Sequence, residues 1–178
     1  MIADRVVRFS CLSVLVSVLM VSCAASAQEG APRKGHDPAL GRWKLDLKKS
    51  RFLDPKDRIT GMTRVYSNDG DMVKVWWDSH PVTGKASSHS FSAKCDGTEE
   101  PAWEGAKIKC SYKFHNYVEG ELIDETDPAH RYYSQVVAPD GKTMKFIWFS
   151  DPERKRPRSV LQLDRVEETK KKQIAISK

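Results

Sequence analysis

Histidine pairs at metal-ligand spacing, a glycine-rich phosphate loop and a Gly-x-Ser-x-Gly elbow are all missing from this chain of 178 residues. The 5 histidines stand at 36, 80, 89, 115 and 130, and no two are related by the two- or four-residue steps that place ligands on one face of a strand or helix. Ser87-Ser88-His89-Ser90 has the residue types of acyl transfer, but reads more simply as a polar strand with one inward histidine. For a histidine–carboxylate pair in a barrel mouth the pattern offers His89 and His115 as candidates, both remotely placed. The carboxylate pairs Glu99-Glu100 and Asp124-Glu125 sit beside turns, as solvated charges do. The expectation is therefore a protein that is not an enzyme and carries neither metal nor cofactor. Long apolar runs are scarce as well. The longest apolar run, the uncharged Phe9–Val21, falls short of the roughly 20 residues of a spanning helix, and 30% charged residues exclude a polytopic membrane protein. Aromatic residues, at 9%, are too frequent for a disordered chain.

That uncharged stretch has its own logic. Arg5 and Arg8 precede it, and Ala25-Ser26-Ala27 follows with small side chains at both recognition positions of a signal peptidase, so residues 1–27 read as a signal peptide cleaved before Gln28. The alternative processing site is Met20-Val21-Ser22-Cys23, which resembles a bacterial lipobox and would make Cys23 a lipidated first residue of a membrane-anchored lipoprotein. In either case the product is exported, to the periplasm or beyond. Cys11 departs with the leader, and Cys23 too unless it is the lipidated residue. That leaves Cys95 and Cys110, which in an oxidising compartment are most simply one disulfide. Residues 28–40, with Gly30, Pro32, Gly35 and Pro38, read as a flexible lead-in; residues 41–166 form the folded domain, and 167–178 a basic, disordered tail.

Within the domain no helical periodicity of a dozen residues occurs. Trp43, Leu45 and Leu47 alternate with charged residues, and Ile108, Cys110, Tyr112 and Phe114 alternate with Lys107, Lys109, Ser111 and Lys113. Similar segments near 60–67, 71–78, 85–94, 117–125, 131–138, 142–149 and 158–166 complete a run of short strands. Asn68-Asp69-Gly70 and Pro139-Asp140-Gly141 mark tight hairpins between them, and Pro81–Gly84 a longer loop. An all-β, antiparallel, up-and-down barrel of about 8 to 10 strands would leave few free edges; a β-sandwich is the alternative.

Gly41-Arg42-Trp43 resembles the Gly-x-Trp of the first lipocalin strand, and Arg165, on one strand face with Leu161 and Leu163, stands where lipocalins place the arginine that stacks over that tryptophan. The resemblance implies that Trp43 and Arg165 form a structural pair closing one end of the barrel. The longer stretch Gly41–Phe52 is similar to the Gly-x-Trp-Lys-Leu-Asn-x-x-Lys-Ser-x-Phe opening of small exported bacterial lipocalin-like proteins of largely uncharacterised function. Here Asp46 replaces the usual Asn, Cys95 stands where an aromatic residue is usual, and the Trp76-Trp77 pair is an addition.

The net charge of +6 does not describe a basic wall, because residues 151–158 and 167–178 carry most of it. Nucleic acid is thereby disfavoured as a partner, while those two segments are the ones suited to weak contact with an anionic membrane or cell-wall surface. The inward strand faces offer the other partner surface. By alternation they gather Val75, Trp77, His89, Phe91, Tyr112, Tyr133, Gln135, Phe146 and Trp148. An aromatic wall with a few polar groups suits a small apolar or amphipathic ligand, and it equally suits a core filled by its own side chains.

Overall fold

The computed structural model describes residues 37–167. Eleven strands follow in chain order: β1 (Gly41–Leu45), β2 (Arg51–Phe52), β3 (Ile59–Asp69), β4 (Met72–Pro81), β5 (Ser87–Ala93), β6 (Asp96–Pro101), β7 (Ala106–Phe114), β8 (Tyr117–Asp124), β9 (Tyr132–Val137), β10 (Thr143–Phe149) and β11 (Pro157–Arg165). Helix among the described residues is limited to two 3-10 turns, Pro55–Asp57 and Pro128–His130. The strands form one antiparallel sheet in the order β5-β4-β3-β1-β11-β10-β9-β8-β7-β6, with β2 added to β11 off this path. The first strand thus pairs with the last, and the sheet curls into a nearly closed barrel. This is the expected all-β barrel rather than a sandwich.

Alternation made most of these strands legible, and the exceptions have physical causes. β6, Asp96-Gly-Thr-Glu-Glu-Pro101, is an edge strand with both faces largely exposed, so it carries no apolar period. β2 is only two residues long. The first strand also ends sooner than its pattern implies. The Asp46 carboxylate accepts hydrogen bonds from the Lys48 and Lys49 amides at 2.9 and 3.3 Å, turning the chain, so Leu47 is exposed rather than inward. The two tight hairpins are built as expected around Gly70 and Gly141, both in the left-handed region.

One end of the barrel is closed by Arg165. Its guanidinium carbon lies 4.2 Å from the centre of the fully buried Trp43 ring. Its Nε donates to the Gly141 carbonyl, and its Nη atoms donate to the Leu40 and Pro38 carbonyls. Trp43 Nε1 in turn donates to Ala39 O at 2.7 Å. Residues 37–40 are thereby folded across the barrel end, with Asp37 and Ala39 buried. Gly41 has a φ of +119°, and a Cβ there would lie 2.7 Å from Arg165 Nη1, so the backbone conformation and the arginine both require glycine.

The wall has one seam. β5 and β6 are consecutive in the chain and joined only by Lys94-Cys95, yet they are the two ends of the strand order and are not hydrogen bonded to each other. Cys95 bridges to Cys110 on β7, and its carbonyl accepts from the Tyr112 amide at 3.2 Å. Toward the other end Trp103 leans from the β6–β7 loop onto His89 and Trp77, with ring centres 4.5 and 5.6 Å apart. The disulfide spans 15 residues, for which loop entropy gives about 3 kcal/mol. The Cys95→Ala/Cys110→Ala double variant is expected to lose about that much stability in urea unfolding; an unchanged midpoint would show that the seam holds without the bond.

Candidate functional site

The inward faces divide the interior into two halves. Toward the Arg165 end the space is filled. Tyr66, Val75, Phe91, Val118, Tyr133 and Gln135 are buried there and leave a void of about 20 Å³. The Tyr66 hydroxyl donates to Gln135 Oε1 at 2.6 Å, and the Tyr112 hydroxyl donates to buried Asp37. Burial, reinforced by the Asp37 charge, pushes the Tyr112 phenol well above its usual range. Tyr133 fits only because position 120 lacks a side chain, since a Cβ on Gly120 would collide with the Tyr133 ring. Its ring stacks on Phe146 at 5.2 Å, and Trp148 meets both edge-on.

Toward the opposite end the interior opens into a cavity of about 350 Å³. Its apolar wall is Met62, Trp77, Trp103, Leu122, Trp148 and Leu161, with His89 beside the two tryptophans on the seam side. Of the residues singled out from the sequence, Trp77, His89 and Trp148 line this cavity. Tyr133 and Phe146 lie beneath it around a void of about 10 Å³, while Val75, Phe91, Tyr112 and Gln135 belong to the filled half. A wider groove of about 570 Å³ lies between the β1–β3 connection and the β4–β5 loop, lined by Leu47, Phe52, Ile59 and Val82, but it is shallow and lacks an aromatic wall.

Sequence reasoning missed the central residue of the site. Arg64 lies on the inward face of β3 between Met62 and Tyr66, is 4% exposed, and borders the open cavity as well as both small voids. Three rings face its guanidinium: Phe146 at 4.1 Å, Trp77 at 5.1 Å and Tyr66 at 5.6 Å. Each such contact returns roughly 0.5–2 kcal/mol, against a desolvation cost of several kcal/mol for a buried cation. Its Nε has no hydrogen-bond partner, and no ion pair to it exists among the described residues. The signal was present in the two-residue step Met62-Thr-Arg-Val-Tyr66, which places an arginine on an otherwise apolar strand face.

Across the mouth, the two 3-10 turns are joined by charge. Asp54 caps the Pro55–Asp57 turn by accepting from the Lys56 amide at 2.9 Å. Arg158 on β11 donates through Nε and Nη2 to the Asp57 carboxylate at 3.1 and 2.6 Å. His130 then bridges the turns, with Nδ1 2.8 Å from Asp127 Oδ2 and Nε2 3.4 Å from Asp57 Oδ1, and its ring meets Trp148 edge-on at 5.3 Å. Burial disfavours the charged Asp57 carboxylate, but His130 and Arg158 override it and hold the group below the usual range. Asp127 is only three residues from His130, but Asp57 and Arg158 lie on separate segments, so no local motif announces the bridge.

Within the basic 151–158 segment Lys155 and Arg156 are exposed, while Arg154 and Arg158 are held by the fold. Arg154 donates to the carbonyls of Tyr133, Pro152 and Gly120 and lies 3.5 Å from Glu119. The buried Asp151 carboxylate accepts from the Lys155 and Arg156 amides, and Arg158 is held by Asp54 and Asp57. Lys170-Lys171-Lys172 and Cys23 lie outside the described residues. Among the described residues, no three metal-ligating side chains converge.

No protein-family profile matches the chain, and no curated protein does. Among solved structures it is similar to one described as "REP1-NXSQ fatty acid transporter", at 19% identity over 73% of this chain and 97% of that one, with a TM-score of 0.45. Likeness at that level adds nothing to what the strand order already shows.

The mouth carries a titration of its own. Burial disfavours the His130 imidazolium, yet the Asp127 and Asp57 carboxylates outweigh it and raise the pKa from 6.5 to about 9. The folded chain therefore keeps a proton that the unfolded chain releases near pH 6.5. This stabilisation is complete below that pH and is lost as pH rises through about 9. The urea midpoint is expected to fall across this window, and the fall should be absent in His130→Gln; a wild-type midpoint constant over that range would contradict the bridge.

Proposed function

We propose that the chain is an exported lipocalin-like barrel that takes a small apolar or amphipathic ligand into the open half of its interior. The observation that carries the reading is the cavity of about 350 Å³ walled by three tryptophans, within the roughly 300–1,000 Å³ of small-molecule sites. Filling of the opposite half gives such a ligand a floor, so that it enters and leaves by the mouth. The rival reading, contact with anionic surfaces through residues 151–158 and the basic tail, has only Lys155 and Arg156 to draw on within the loop, because Arg154 and Arg158 already have protein partners. Export, and membership of the exported family with the Gly-x-Trp-Lys-Leu opening, rest on the sequence of residues 1–27 and 41–52.

Nile red, a neutral apolar dye, is expected to bind with a blue-shifted emission and to quench tryptophan fluorescence. Leu122→Trp, which fills the cavity from a buried wall position, should weaken that binding about tenfold while the fold persists. Absence of dye binding to the wild-type protein would remove the ligand reading. For export, the intact mass of the mature protein is expected to begin at Gln28; a lipidated Cys23 would instead make it an anchored lipoprotein, and an uncleaved chain would defeat both versions.

A further inference from the structure

We infer that the ligand is an anionic amphiphile, with a carboxylate or similar single oxyanion head at the cavity floor against Arg64 and its apolar body toward the mouth. The inference deepens the proposed function and rests on it. Arg64 is a permanent cation held almost wholly out of water, because guanidinium does not lose its proton at any physiological pH. Buried cations are normally matched by a carboxylate, and this one has none among the described residues.

Its surroundings satisfy only part of its chemistry. Phe146, Trp77 and Tyr66 present their rings to it, but aromatic faces do not accept the in-plane hydrogen bonds of Nε and Nη. The Tyr66 phenol donates to Gln135 and turns its oxygen toward the guanidinium, but it does not serve Nε. The Nε–H therefore lacks an acceptor in a place where an unmade hydrogen bond is expensive. A carboxylate matches the planar fork of a guanidinium through two parallel bonds, which an alcohol or ester does not. The apolar wall above Arg64, formed by Met62, Leu122, Trp148 and Leu161, then suits an alkyl or aryl body.

The mouth does not compete for the head. Lys56 and Arg58 there are exposed to water and, with His130, are interleaved with Asp57, Asp124 and Asp127, so the rim carries both signs in a hydrated setting and Arg64 is the buried cation without a carboxylate. Selectivity for an anion should then be insensitive to salt, since a buried contact is screened far less than a rim contact.

The test uses the whole mature protein at neutral pH, with dodecanoate and dodecanol competing against Nile red. Dodecanoate is expected to displace the dye at a concentration at least about tenfold lower than dodecanol, in half-molar salt as well as in dilute buffer. Arg64→Met should keep dye binding and lose the preference, and Arg64→Lys should restore part of it, with near-ultraviolet circular dichroism checking that each variant is folded. If Nile red binds and both competitors displace it equally, the anionic head is wrong and the apolar pocket stands. A preference that disappears in salt, or survives in folded Arg64→Met, also overturns the role of Arg64. If Nile red does not bind at all, the pocket reading fails and this inference fails with it.

Discussion

The contact between Arg165 and Trp43 is what the rest of the barrel depends on. A sheet that curls into a barrel must join its first strand to its last, and in this chain β1 meets β11 through a register that sets these two residues opposite each other. Backbone pairing alone would leave the barrel end open to water. Arg165 closes it by covering the indole face while its donors reach carbonyls on two separate segments, 38–40 and the β9–β10 hairpin. One side chain thereby ties the beginning of the domain, its last strand and a turn between them. The cation–π part is worth roughly 0.5–2 kcal/mol; beside it, the part-buried carbonyls of Pro38, Leu40 and Gly141 each acquire a charged donor.

This closure makes the interior asymmetric. Near Arg165 the aromatic residues are stacked until almost no space remains, helped by the absence of a side chain at Gly120, which makes room for Tyr133. Toward the mouth the same strands continue with smaller or more widely spaced groups, including Ser79, Ser159 and Leu161, and the walls separate. The two 3-10 turns hold the rim by ion pairs rather than by packing, so the mouth is organised without being filled. Arg64 stands at the boundary between the two regimes, its guanidinium enclosed by rings from three strands.

Alternation revealed the fold because burying one face of a strand forces a period of two, and nine of the eleven strands bury a face in this way. β6 escaped because an exposed edge strand has no face to bury, and β2 because two residues cannot display a period. Leu47 misled for the opposite reason: the alternating pattern runs past the point where the Asp46 carboxylate turns the chain. The inward-facing candidates were the right kind of residue, but alternation says only that a side chain points inward, not how far along the barrel it lies. Val75, Phe91, Tyr112 and Gln135 therefore could not be separated from Trp77, His89 and Trp148 by pattern alone. The role of His130 was beyond reach of pattern, since Asp127 is a local neighbour but Asp57 sits on another loop that only the closed barrel brings to it.

The unbonded seam between β5 and β6 gives the wall a mechanical character that a fully laddered barrel lacks. A slit pinned at one end widens in proportion to distance from the pin. With Cys95–Cys110 as the pin, displacement of Trp103 from His89 and Trp77 enlarges the mouth most and the floor around Arg64 little. The bond therefore clamps the seam on the filled side of the barrel, and on the mouth side the seam is faced by the Trp103, His89 and Trp77 rings without a covalent tie.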